Sequence, residues 1–155
     1  MIAELVGRPM EILLIEDSLM AAKLAAHAVR DRQFDHRLTW ISDGQEAIDF
    51  LLQERQYGRA PRPDLILLDL ILPQKSGQEI LAVIRGQQEL REIPVVVMTG
   101  ESQESTGSLD VAEYVTKPFN AQDFQRILDR LRGRWRTGML LPQPDEKPFG
   151  GLGLS

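Results

Sequence analysis

Four places in the chain set a chemically capable residue directly after a short apolar run. Glu16 and Asp17 follow Ile12-Leu13-Leu14-Ile15, and Asp69 follows Leu65-Ile66-Leu67-Leu68. Thr99 and Gly100 follow Val95-Val96-Val97-Met98, and Lys117 and Pro118 follow Tyr114-Val115-Thr116. If the runs lie side by side, these ends form one pocket with three carboxylates, a hydroxyl and an ammonium. Three carboxylates in one pocket repel one another and resist ionising together. A divalent cation removes that cost, and a few carboxylates with room for water and a phosphate oxygen suit Mg²⁺ better than Ca²⁺. The ammonium of Lys117 and the hydroxyl of Thr99 then match the remaining oxygens of a phosphoryl group. A carboxylate beside such a metal can attack phosphorus and become an acyl phosphate. The set points to phosphoryl transfer onto an aspartate.

For these ends to converge, the runs must be neighbouring parallel strands. Unbroken apolar runs of this length suit strands buried on both faces. An alternating run around Leu38, Trp40 and Ile41 supplies a fifth strand. The stretches between read as helices. Ser18 caps one containing Leu19, Leu24, Ala25, Ala28 and Val29, and Asp43 precedes another with Ala47, Ile48, Leu51 and Leu52. Ile80, Leu81, Val83 and Ile84 form a third stripe, and Asn120 caps a helix with Phe124, Ile127, Leu128 and Leu131 on one face. This alternation predicts right-handed βαβ crossovers and an α/β, doubly wound, five-stranded parallel sheet. Function in such sheets sits at the carboxyl ends of the strands.

The motifs Glu16-Asp17, Leu68-Asp69-Leu70-Ile71-Leu72-Pro73, Val97-Met98-Thr99-Gly100 and Val115-Thr116-Lys117-Pro118-Phe119, with Gly77, occur in one register after these strands. In that order the chain resembles a response-regulator receiver domain over most of its length, from about Glu11 to Arg134. Each motif alone is weak, and only their joint placement is specific. The resemblance implies the flavodoxin-like strand order 2-1-3-4-5. It implies Asp69 as phosphoacceptor, and Glu16, Asp17, Asp69 and the backbone carbonyl of Ile71 as Mg²⁺ ligands. Thr99, Gly100 and Lys117 would meet the phosphoryl group. Thr99 and Tyr114 would act as the switch pair, and Lys117–Pro118 would be a cis peptide. The long connection 53–63, with Ala60-Pro61-Arg62-Pro63, and the Arg134-Trp135…Leu141-Pro142 ending are similar to phytochrome-associated single-domain receivers. That likeness implies a sensor histidine kinase of phytochrome type as partner. It also implies output by contact with a downstream protein or by onward phosphotransfer.

The chain departs from this pattern in one place. Thr99 and Lys117 are only 18 positions apart, about one helical turn or roughly four residues fewer than receivers usually hold. The polar stretch 101–110 is expected to form a shortened or missing helix between the fourth and fifth strands. Glu101 and Ile71 flank the expected phosphoryl site and are expected to tune water access to it. The boundaries expected are an extension at 1–10, the domain at 11–136 and a tail at 137–155. That tail would be flexible or used in self-association, which leaves monomer and homodimer both open.

Composition narrows the classes. Eighteen basic against 23 acidic residues give a net charge of −5, unsuited to phosphate backbones, so no nucleic-acid partner is expected. No apolar run reaches the roughly 18 residues a membrane span needs, and 1–10 lacks a secretory pattern. The absence of Cys excludes disulfides and thiol catalysis and fits the cytoplasm. A haloacid-dehalogenase-like phosphatase would need an aspartate where Ile71 stands. A flavodoxin-like electron carrier would need a Ser/Thr/Gly-rich loop in place of Glu16-Asp17. A purely structural interaction module would show no metal or phosphoryl effect. The chain is read as a phosphoacceptor switch and not a conventional enzyme. His27 and His36 receive no function, and Trp40 and Trp135 are read as packing residues.

Overall fold

The computed structural model describes residues 8–32, 35–100 and 110–134. Five strands form one parallel sheet in the order β2-β1-β3-β4-β5. They are β1 (Met10–Ile15), β2 (His36–Ile41), β3 (Leu65–Asp69), β4 (Val95–Thr99) and β5 (Glu113–Thr116). Four α-helices are present among the described residues: α1 (Leu19–Arg30), α2 (Gly44–Leu52), α3 (Gly77–Gly86) and α4 (Ala121–Leu131). The stretch 101–109, where the short or missing helix was expected, lies outside the described residues, as do Glu101, Trp135 and the tail. None of the described helices is long and apolar enough to cross a membrane.

The central strands are apolar at consecutive positions because each face meets a helix pair. Ile12, Leu14, Leu65, Leu67, Val96 and Met98 pack with α1 and α4 around Phe124, Ile127 and Leu128. Leu13, Ile15, Ile66, Leu68, Val95 and Val97 pack with α2 and α3 around Leu51, Ile80 and Ile84. The period-two alternation of a strand thus sends successive residues into two separate cores. On α1 the buried face is made of Ala22, Ala25, Ala28 and Val29, while Leu19, Met20 and Leu24 face outward. Small residues let this helix lie close to the sheet and leave the larger ones on its outer side.

Helix starts follow the expected caps. The side chains of Ser18, Asp43 and Asn120 accept from the backbone N–H of Ala21, Glu46 and Asp123. Ser76 and Glu79 add a reciprocal capping box at α3 that the apolar stripe alone did not reveal.

The connection 53–63 is held by specific contacts. α2 stops at Leu52 and does not run into it, because Gln53 turns to a left-handed φ of 58°. Arg55–Tyr57 form a short 3₁₀ turn. Tyr57 packs edge-on against Phe50 at 5.4 Å between ring centroids. Gln53 Nε2 donates to the Ala60 carbonyl, and Arg62 donates to that of Leu51, both at 2.6 Å. The buried carboxylate of Asp49 accepts from Arg55 at 2.8 Å.

Gly77 opens α3 directly beneath the end of β3. A Cβ there would lie 2.5 Å from Leu70 Cα and 2.8 Å from the Asp69 carbonyl oxygen. These are backbone atoms and cannot swing aside. Gly77→Ala is expected to cost about 1–3 kcal/mol by overpacking, read by denaturant unfolding.

Candidate functional site

β1, β3, β4 and β5 end on one rim, and the parallel register brings their last residues level. Ile15 lies opposite Leu68, Asp69 opposite Met98, and Thr99 opposite Thr116. Glu16, one residue past β1, is held by its backbone N–H donating to Ile41 at 3.1 Å. Its side chain is fully buried (0% exposed). Oε2 accepts from Ser18 N at 3.1 Å. Oε1 lies 2.8 Å from Lys117 Nζ as an ion pair, with no well-aligned hydrogen-bond donor among the described residues. Asp69 is 6% exposed. Its Oδ1 accepts from Ile71 N at 3.2 Å, and its Oδ2 accepts from Lys117 Nζ at 3.2 Å. Asp17 stands exposed at the mouth, and one oxygen from each of Glu16, Asp17 and Asp69 lies within 4.8 Å of the others.

Burial pushes the Glu16 carboxyl above the usual glutamate range, with the neighbouring Asp69 charge adding to it and Lys117 and Ser18 N–H only partly opposing. Burial alone would lower the Lys117 ammonium, but its close pairing with Glu16 and the charge of Asp69 win and hold it above the ordinary lysine value. One ammonium therefore serves two buried carboxylates. The buried carboxylates of Glu16 and Asp69, which share one ammonium, the exposed Asp17 beside them and the all-oxygen donor set fit a hard divalent cation, Mg²⁺ above all.

The remaining expected residues fall around this centre. Thr99 is buried at the end of β4, and its carbonyl accepts from Lys117 N at 2.8 Å. Gly100 is open, with nothing within 4 Å of where a Cβ would sit. The Lys117–Pro118 peptide is cis. Tyr114 lies in β5 opposite Val97 and is half-buried against the α2–α3 core. Ile71 turns its side chain to solvent, 74% exposed. A cleft of ≈ 220 Å³ opens beside the centre, lined by Glu16, Met20, Leu24, Lys117 and Pro118 among others. Sequence reasoning missed Trp40: its indole Nε1 donates to the Glu16 carbonyl at 2.6 Å. The signal was an indole at the end of the strand next to the one that carries Glu16.

Residues 12–129 match the family described as the response regulator receiver domain. The chain belongs to that family. As a receiver it is 38% identical to response regulator Rcp1 of Synechocystis over 138 residues, covering 86% of this chain and 94% of Rcp1. The Mn²⁺-bound structure of Rcp1 superposes with a TM-score of 0.67 at 39% identity, covering 81% of this chain and 93% of that one. The phosphorylated cyanobacterial phytochrome response regulator RcpA gives 0.69 at 37% identity, with 85% and 98% covered. The bacteriophytochrome response regulator RtBRR gives 0.75 at 32% identity, with 88% and 84% covered. The receiver described here is thus related to phytochrome response regulators, and its five strands share their order.

Proposed function

We propose that this receiver takes a phosphoryl group on Asp69 from a sensor histidine kinase of phytochrome type, with Mg²⁺, and signals by protein contact or onward phosphotransfer. The observation that carries the reading is the buried Asp69 carboxylate, 3.2 Å from the Lys117 ammonium and clustered with Glu16 and Asp17. In the transfer, an Asp69 oxygen attacks phosphorus, the P–N bond of a phosphohistidine breaks, and the departing imidazole keeps its electron pair and takes a proton. Glu16, Asp17, Asp69 and the Ile71 carbonyl would hold Mg²⁺, which neutralises phosphoryl charge when bound. Lys117 offers its ammonium to a phosphoryl oxygen, with Thr99 and Gly100 beside it at the end of the neighbouring strand β4. The chain thereby assists its own phosphorylation and dephosphorylation, while the kinase supplies the activated group. Thr99 and Tyr114 are the switch pair on this reading.

Exposed Met20 and Leu24 beside the cleft support docking of a partner that presents the phosphohistidine. The likeness to RcpA and RtBRR, response regulators of a phytochrome and a bacteriophytochrome, supports a phytochrome-type kinase. On this reading the functional unit is 11–136, with Met10 joining β1, and 137–155 is a tail that is flexible or used in self-association, a homodimer being one form. The absence of Cys supports action in the cytoplasm beside that kinase. The test is label transfer from autophosphorylated kinases. The reading expects rapid loss of label from a phytochrome-type kinase to this chain and slow loss from an unrelated sensor kinase. Equal transfer from both would remove the phytochrome assignment, and transfer from neither would remove the kinase partnership.

A further inference from the structure

The two loops that carry the acidic cluster are distant in sequence. One bears Glu16 and Asp17 after β1, and the other bears Asp69 to Ser76 between β3 and α3. Residues 40–44, from the end of β2 to the first residue of α2, touch both. On one side, Ile41 accepts from Glu16 N at 3.1 Å and the Trp40 indole N–H donates to the Glu16 carbonyl at 2.6 Å. Both polar groups of the Glu16 backbone are thus held by this turn. On the other side, Gly44 N donates to the Pro73 carbonyl at 3.1 Å. A Cβ on Gly44 would lie 2.1 Å from the Lys75 carbonyl oxygen and 2.9 Å from its carbon. That contact exists only because the residue is glycine. The loop it meets is itself tight: Lys75 N donates to Pro73 O at 2.8 Å, and Gln74 adopts φ 71°.

Trp40 shows that these contacts are more than packing. The ring is 41% exposed, so burial is a weak reason for placing an indole there. Its single donor is spent on the backbone of a buried carboxylate residue that belongs to the acidic cluster. We propose that the turn 40–44 is a positioning element for the cation site: Trp40 fixes the Glu16–Asp17 end, Gly44 fixes the loop beyond Asp69, and together they set the separation of the cation's ligands. Trp40 and Gly44 touch no ligand oxygen and act through the loops they hold. The inference rests on the cation reading under Proposed function.

The experiment titrates MgCl₂ alone into the full chain, parent, Trp40→Phe and Gly44→Ala, by calorimetry, with thermal melts in EDTA. Removing a group that orients a metal ligand weakens binding by about 10-fold or more, and that loss is expected for each variant. Trp40→Phe keeps the aromatic ring, so its melting in EDTA is expected to stay close to the parent's. A second readout separates positioning from general damage. With acetyl phosphate, the rate at saturating Mg²⁺ is expected to match the parent within about twofold, while the Mg²⁺ concentration for half-maximal rate rises about 10-fold. Should Gly44→Ala fail to fold, Trp40→Phe decides alone. Parent-like Mg²⁺ affinity in Trp40→Phe overturns the proposal, as does a lowered melting temperature with unchanged affinity. A parent that takes up no Mg²⁺ overturns the cation reading itself, a result distinct from either.

Discussion

Lys117→Ala is expected to hold Mg²⁺ more tightly than the parent and yet accept phosphoryl groups about 100- to 1,000-fold more slowly, the usual cost of losing one preorganised donor to a developing charge. The two effects have one source. Lys117 Nζ lies 2.8 Å from Glu16 Oε1 and 3.2 Å from Asp69 Oδ2, so it competes with a divalent cation for the same carboxylates. Removing it leaves buried Glu16 and Asp69 facing each other with exposed Asp17 nearby, and a cation then gains more by binding. Without the cation, breaking a buried pair from one side costs about 3–5 kcal/mol, capped here because Glu16 can take up a proton. Addition of Mg²⁺ should recover much of that loss in a thermal melt. A variant that melts like the parent in EDTA and binds Mg²⁺ no better would show that the ammonium does not compete for these oxygens.

Glu16→Gln is expected to raise stability in the absence of metal and to weaken Mg²⁺ binding by about 100-fold, at the upper end of changes around a metal site. The Glu16 carboxyl is held above the usual glutamate range chiefly by burial, so its charged form is penalised in the fold. The sign follows by linkage. The contribution of protonated Glu16 is fully present below the ordinary glutamate value and is lost as pH rises through the higher folded value. Above that folded value the charged parent lacks the contribution, and the neutral amide restores it. The parent in EDTA should therefore lose stability as pH rises from about 4.3 through the folded value of Glu16, and the variant should be flatter over the same window. A variant less stable than the parent at neutral pH would mean that the Lys117–Glu16 pair outweighs the burial of its charge. The expected pattern is a site that gives up stability in order to hold an ion.

Glu16, Asp69 and Thr99 were legible because each stands at the end of an unbroken apolar run that suits a strand buried on both faces. Asp69 after Leu65-Ile66-Leu67-Leu68 is the plainest case, and the level register of Ile15 with Leu68 and of Asp69 with Met98 is what turns four separate signals into one pocket. Other features needed contacts between residues far apart, which spacing does not encode. The Trp40 bond to Glu16 crosses 24 positions. Tyr57 and Ala60 look like loop residues until Phe50 and Gln53 are beside them. On α1, hydrophobicity marked Leu19 and Leu24 together with the alanines, but close approach to the sheet selected Ala22, Ala25 and Ala28 for the inner face. A stripe gives the period of a helix, while the size of its neighbours decides which residues turn inward.

The central claim is tested most directly by intact mass after incubation with acetyl phosphate, with and without Mg²⁺, for the parent and Asp69→Asn. The account predicts a gain of one phosphoryl group in the parent, absent without Mg²⁺ and absent in the variant. An adduct that persists in folded Asp69→Asn would contradict it. So would no adduct on a folded parent that binds Mg²⁺ and leaves the donor unconsumed.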